Sequence, residues 1–188
     1  MTRKVVVRSF VIVLSVLLAV GIGFLAYRHI VPTKAYAEGM IYLYESLAEL
    51  EEKSDTIVEV SVAGKGRNVV EKSTVGAQDS YYTYTPVKVE KVHKGDVNPG
   101  DVIEIIEPVG YQRLPTGLYY ICRRGYEPIK QGTTYLLFLQ ENPDGDYPVS
   151  SQRKFVWPTP QERTAESLEI TELSSQYEML LDAIAAKY

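Results

Sequence analysis

Cysteine is almost missing from this 188-residue sequence: Cys122 stands alone. No intrachain disulfide can form, so an apolar core must hold the fold. About 100 residues can bury enough apolar surface for that. A lone thiol reads as buried and inert, because reactivity needs an adjoining base or cationic setting. An intermolecular disulfide is the other use open to it.

Histidine is scarce too, with only His29 and His93. His29 adjoins an apolar run, and His93 sits in a strand-to-turn segment between Val92 and Lys94. There is no HExxH, no Ser-His-Asp set, no Cys/His cluster and no phosphate-cradling glycine loop. The sequence therefore offers no catalytic, cofactor-binding or metal-ligating residues of those kinds. The Asp96/Asp101 and Asp144/Asp146 turns lack the full ligand series of a calcium loop and read as turn formers.

Acidic residues are absent from the first 37 positions, where Arg3, Lys4, Arg8, Arg28 and Lys34 give +5. The rest holds 15 basic and 24 acidic residues, which is −9. That balance argues against nucleic acid, whose phosphates need Lys and Arg to displace counterions. It argues in the same way against docking on an anionic lipid surface.

What is present is first of all an apolar run. Ser9 to Tyr27 is 19 residues without a charge. As a helix it spans roughly 28 Å, close to the hydrocarbon thickness of a bilayer. Arg3, Lys4 and Arg8 precede it, which predicts a single span with the C-terminal part outside. Two fates are open. The run is long for a cleaved signal, which favours a retained anchor, whereas Ala35-Tyr36-Ala37 has the small-x-small pattern of a cleavage site and would release a secreted form.

The pattern then divides the chain. Residues 1–8 read as a cytoplasmic basic tail, 9–27 as the transmembrane helix or signal core, and 28–53 as a linker with a short helix over about 40–53. Ile41, Tyr44, Leu47 and Ala48 carry that helical spacing, with a second stripe at Leu43, Leu47 and Leu50. Alternation follows: strands at 57–62, at 82–92 with Pro86 marking a bulge or edge, at 102–106 and at 134–139. The 134–139 run is continuously apolar and should be buried on both sides. A last strand or strand pair covers 147–150 and 154–156. Residues 107–131 read as a long connection with a short strand at 118–122. In 158–188, Thr159-Pro160-Gln161-Glu162 looks like a helix start, and Leu173, Tyr177, Leu180, Leu181, Ile184 and Tyr188 line one face of a C-terminal amphipathic helix. The expected fold is mainly β: a small five-stranded OB-like barrel at 54–157 with helices at both ends.

An ordered series of motifs carries a resemblance. It comprises Ser54-Asp55-x-Ile57-Val58, Tyr84-Thr85 leading into Val87-Lys88-Val89-Glu90, Lys94-Gly95-Asp96 and Pro99-Gly100-Asp101-x-Ile103. It continues with Gly132-x-x-Tyr135-Leu136-Leu137-Phe138-Leu139 and Asp144-Gly145-x-Tyr147. Residues 54–157 thereby resemble small exported or membrane-anchored bacterial proteins with an OB-type barrel. That group is distantly similar to the tissue metalloproteinase inhibitor and netrin-like module. The resemblance implies the fold. It does not imply protease inhibition, because this chain lacks the N-terminal cysteine pair that such inhibitors use.

Tyrosine is the unusual count, at 15. Tyrosines offer large contact area at low entropic cost. Tyr82 and Tyr84 should share a strand face, with Tyr81 on the other. The 107–131 segment concentrates Tyr111, Arg113, Tyr119, Tyr120, Arg123, Arg124 and Tyr126, residue types favoured at contact sites. With Tyr82 and Tyr84 these form the candidate partner-binding surface, for a protein or a cell-wall glycan outside the membrane. The expected function is a membrane-anchored binding module without catalysis. Alternatives are a structural or regulatory subunit of a membrane complex, or a wall-glycan hydrolase built on two carboxylates among the 24 acids.

Overall fold

The computed structural model describes residues 3–37, 44–73, 79–150, 153–158 and 171–188. The uncharged run lies inside α1 (Arg3–Ile30), which reaches further at both ends than the run itself. Its part from Phe10 to Ile30 is long and apolar enough to cross a membrane. Side chains from Phe10 to Tyr27 are all exposed, unlike those of a core helix. Pro32 follows closely and has no N–H to continue the helix.

Residues 28–37 are not a free linker. Only Val31 and Pro32 separate α1 from β1 (Thr33–Ala37), which pairs in parallel with β7 (Gly117–Arg123). Of the helix expected at about 40–53, residues 40–43 lie outside the described residues, and α2 covers Leu47–Glu52. Ser46 caps it by accepting from Glu49 N at 3.2 Å.

The main sheet contains β2 (Thr56–Val62), β3 (Arg67–Glu71), β4 (Ser80–Lys94), β5 (Val102–Glu107), β8 (Thr134–Leu139), β9 (Tyr147–Pro148) and β10 (Lys154–Trp157). Its order is β10-β8-β2-β4-β5-β9, and β3 pairs with β4 beside β2. The ladder is open between β9 and β10. All pairings are antiparallel except β5 with β9. Pro86 marks neither a bulge nor an outer edge. It sits where β4 changes neighbours, between the last β2 pair (Val62 with Val87) and the first β3 pair (Arg67 with Tyr84). The register shifts lie instead further along, at Ile57/Val58 and Glu59/Val60.

Two cores flank the central strands. Val58, Val60, Val87, Val89, Ile105, Tyr135, Leu137 and Leu139 pack in one. Ile57, Leu136 and Phe138 face the other way, against Leu50 of α2 and Tyr177, Leu180, Leu181 and Ile184 of α3 (Thr171–Lys187). Strands β2 and β8 are thus covered on both faces, which is why 134–139 is apolar throughout. The Leu173 side chain and the helix start expected at Thr159 lie outside the described residues.

Residues 107–131 are not one long connection. β6 (Val109–Leu114) and β7 form an antiparallel hairpin, and with β1 they make a second sheet in the order β1-β7-β6. Asn68 ties it to the main sheet. Its amide donates to Tyr111 O (2.9 Å) and accepts from Tyr111 N (2.5 Å), imitating a strand partner. Thr83 Oγ1 donates to Val109 O at 2.8 Å nearby.

Candidate binding surfaces

The sequence-predicted surface residues fall into two patches and a buried group. The first patch lies on the outer face of β4. Tyr82 and Tyr84 do share that face, with ring centres 5.6 Å apart, edge to face. Tyr81 points the other way and donates to Gln112 Oε1 at 2.9 Å. The Arg67 guanidinium sits 4.2 Å from the centre of the Tyr84 ring and 3.9 Å from Glu104. Tyr84 donates to Asp146 at 3.2 Å, and Tyr82 donates to Glu71 at 2.5 Å. The Glu71 carboxylate pushes the Tyr82 phenol up to about 12, with burial adding to it. Burial first, then Asp146, raises Tyr84 as well.

Sequence reasoning missed Arg67, Glu71, Glu104 and Asp146. The short polar segment Arg67-Asn68-Val69-Val70-Glu71 carries little strand signal, and its partner Tyr84 follows from register alone. Asp146 comes from the turn before β9, and Glu104 from the strand beside β4. The patch therefore gathers four separate chain segments: an arginine, two phenols and three carboxyl groups.

The second patch is the β1–β7–β6 sheet where it meets α1. Arg28 Nη2 donates to the Tyr119 hydroxyl at 3.1 Å, and Arg113 Nη1 donates to the His29 carbonyl at 3.2 Å. Thr116 Oγ1 lies 3.0 Å from the same hydroxyl. Gly117 has φ +142, and a Cβ there would stand 2.7 Å from the Arg28 carbonyl oxygen, so only glycine fits. Tyr111 is exposed and its ring lies 5.0 Å from that of Tyr120. Tyr120 is half-buried against the core, and burial raises its pKa. Arg123 and Arg124 are exposed at the far end of β7. Arg113 and Tyr119 are already engaged with the end of α1.

Tyr126 belongs to neither patch. It is buried, a correction to its place on the candidate surface. Its hydroxyl donates to Glu107 Oε1 at 2.7 Å; Glu107 also accepts from Thr85 Oγ1 (2.6 Å) and Ile129 N (2.8 Å). Lys154 stands 4.1 Å from the centre of the Tyr126 ring and donates to the Glu127 carbonyl. A carboxyl group with three donors inside a core pins the 124–130 segment. No local sequence signal marks Glu107 as buried.

Cys122 is also buried, donates to the Tyr126 carbonyl at 3.0 Å, and burial pushes its thiol up. Protonated and covered, it lacks the setting of a nucleophile. His93 meets Glu59 at 2.9 Å and the Tyr188 ring edge-on at 4.7 Å. Among the described residues, no group of three or more His, Cys, Asp or Glu is placed to hold a metal ion. No protein-family model matches this chain, and no curated protein matches it.

Proposed function

We propose that this chain is a membrane-anchored, extracytoplasmic binding module that takes a hydroxyl-rich ligand such as a wall glycan on the Arg67–Tyr82–Tyr84 patch. The carrying observation is the patch itself: two phenols and a guanidinium ringed by Glu71, Glu104 and Asp146. Sugars stack on aromatic faces and exchange hydrogen bonds with carboxylates, and sites of this kind combine apolar faces with a few polar groups.

The OB-type barrel is part of the proposal. It is supported by the two ends of the open ladder. β9 lies along β5 and β10 lies along β8, yet both belong to the single segment 147–157. One segment serving both edges is the connection that a sheet wrapped around the first core would need. In barrels of that type the ligand face is the second and third strands with the adjoining loops. β4 and β5, with β3 and the turn at Asp146, correspond to it.

Retention of α1 is favoured by β1. A cut after Ala37 would remove the strand that covers one edge of β7, leaving that edge unpaired.

The test is titration of the detergent-solubilised full chain with soluble wall-glycan fragments. Tyr84→Ala and Arg67→Ala should each weaken binding about tenfold, the loss of roughly 1.4 kcal/mol. A control at the exposed Lys88, such as Lys88→Ala, should bind normally. Equal binding by all three variants, or no glycan binding by the unaltered chain, rejects the reading.

A further inference from the structure

The Arg67–Tyr82–Tyr84 patch holds more negative charge than its own cation offsets. Tyr82 and Tyr84 donate hydrogen bonds to Glu71 and Asp146, at 2.5 and 3.2 Å. A phenol brings a donor but no charge, so both carboxylates stay negative and keep lone pairs to spare. Glu104 is the third acid. Arg67 stands 3.9 Å from it, with the two side chains 60% and 54% exposed, so that pair is loose and screened by water. Lys88, on the same face of β4 by alternation, is turned to Glu90 at 3.2 Å.

Two of these acids act on one place. The Tyr82 and Tyr84 rings are 5.6 Å apart. Glu71 first, then burial, raises the Tyr82 phenol, and Asp146 adds to it. Burial first, then Asp146, raises Tyr84, and Glu71 adds to it. Each phenol therefore feels both carboxylates, although one comes from β3 and the other from the turn before β9. The chain itself shows what this field attracts, because the Arg67 guanidinium lies 4.2 Å from the centre of the Tyr84 ring. Cations collect over electron-rich ring faces, and a carboxylate beside the ring strengthens the pull.

We infer that the patch selects glycan carrying unacetylated amino sugars, whose ammonium groups are held by Glu71 and Asp146 beside the Tyr82 and Tyr84 rings. An ammonium offers three donors and a positive charge to carboxylates that have room for more bonds. An N-acetylated sugar offers a single N–H at the same position, no charge, and a carbonyl oxygen that carboxylates cannot bond. Acetylation thus removes what the three acids would recognise and leaves only ring stacking and hydroxyl contacts. Arg67 remains as a partner for hydroxyl oxygens and keeps the Tyr84 ring in place. The inference rests on the glycan reading of this patch and names the kind of glycan it takes.

The detergent-solubilised full chain is titrated with tetramers of glucosamine and of N-acetylglucosamine at mildly acidic pH, where the free amines are protonated. The glucosamine tetramer should bind about tenfold tighter. That ratio should shrink at high salt, where charges are screened. A variant combining Glu71→Gln and Asp146→Asn, which keeps acceptors for both phenols, should bring the ratio close to one. A control combining Glu178→Gln and Asp182→Asn on exposed positions of α3 removes the same charge elsewhere and should keep the ratio. A ratio that the first variant retains in full, or that the control also loses, overturns the inference. Equal binding of the two tetramers, or tighter binding of the acetylated one, overturns it and leaves the glycan reading standing. Failure of both tetramers to bind overturns the two together.

Discussion

Arg28 and Tyr119 lie 91 positions apart in sequence, and the guanidinium of the first donates to the hydroxyl of the second at 3.1 Å. The last turn of α1 is thereby fastened to the middle of a strand in the second sheet. Arg113, reaching back to the His29 carbonyl, fastens it again from β6.

This junction makes the first prediction. Gly117→Ala places a methyl 2.7 Å from the Arg28 carbonyl at a φ of +142. The backbone strain alone costs about 1–3 kcal/mol. Amide exchange in β6 and β7 should accelerate markedly, while β2 and β8 exchange as before. Tyr119→Phe should give a milder form, near 1 kcal/mol, by removing a single hydroxyl. Unchanged exchange in both variants would show that the hairpin does not lean on α1.

The second prediction concerns Glu107. Glu107→Ala strands the Thr85 and Tyr126 hydroxyls and the Ile129 amide inside the core. Each buried group left without a partner costs about 1–3 kcal/mol, so the loss should be about 3–5 kcal/mol after relaxation. Glu107→Gln keeps an acceptor oxygen and should lose roughly 1–2 kcal/mol. Denaturant midpoints measure both. A Glu107→Ala variant as stable as the parent would mean that water reaches these groups.

The third prediction is a titration. The Tyr82 phenol is neutral when it donates to Glu71, and its pKa stands at about 12 against an ordinary 10.0. Folded Tyr82 keeps its proton where an unfolded chain has lost it. The pair's contribution is whole below pH 10.0 and disappears as pH rises through about 12. Glu71→Gln removes the carboxylate charge, so one tyrosine should ionise closer to 10.0, seen as tyrosinate absorbance. Superimposable titration curves for parent and variant would refute the bond.

Several elements were legible because one physical signal dominated. The uncharged run of α1 is one. Strand β8 is another, since Leu137 and Leu139 enter one core while Leu136 and Phe138 enter the other. The shared face of Tyr82 and Tyr84 followed from strand alternation alone. The hairpin at 109–123 was harder. Gly110, Pro115 and Gly117 resemble loop punctuation, yet Gly110 packs beside Asn68 and Tyr81, and Gly117 beside Arg28. Half-exposed faces on both sides blur the alternation that marks a strand. Pairing of β1 with β7 joins Thr33 to Tyr119, a parallel contact with no local trace. Tyr126 was misplaced for a similar reason: its partner Glu107 looks like any surface acid until the fold closes over it.

Only Val31 and Pro32 lie between α1 and β1. Two extended residues reach roughly 7 Å. With α1 set in a bilayer, a domain held that closely would have no fishing radius, because it could not sweep through the space above the membrane as a body on a long tether does. A ligand of a domain anchored in that way would have to come to the membrane plane, and encounters would then be governed by lateral diffusion and surface density. Inserting a flexible spacer after Val31 would exchange that two-dimensional search for a three-dimensional one.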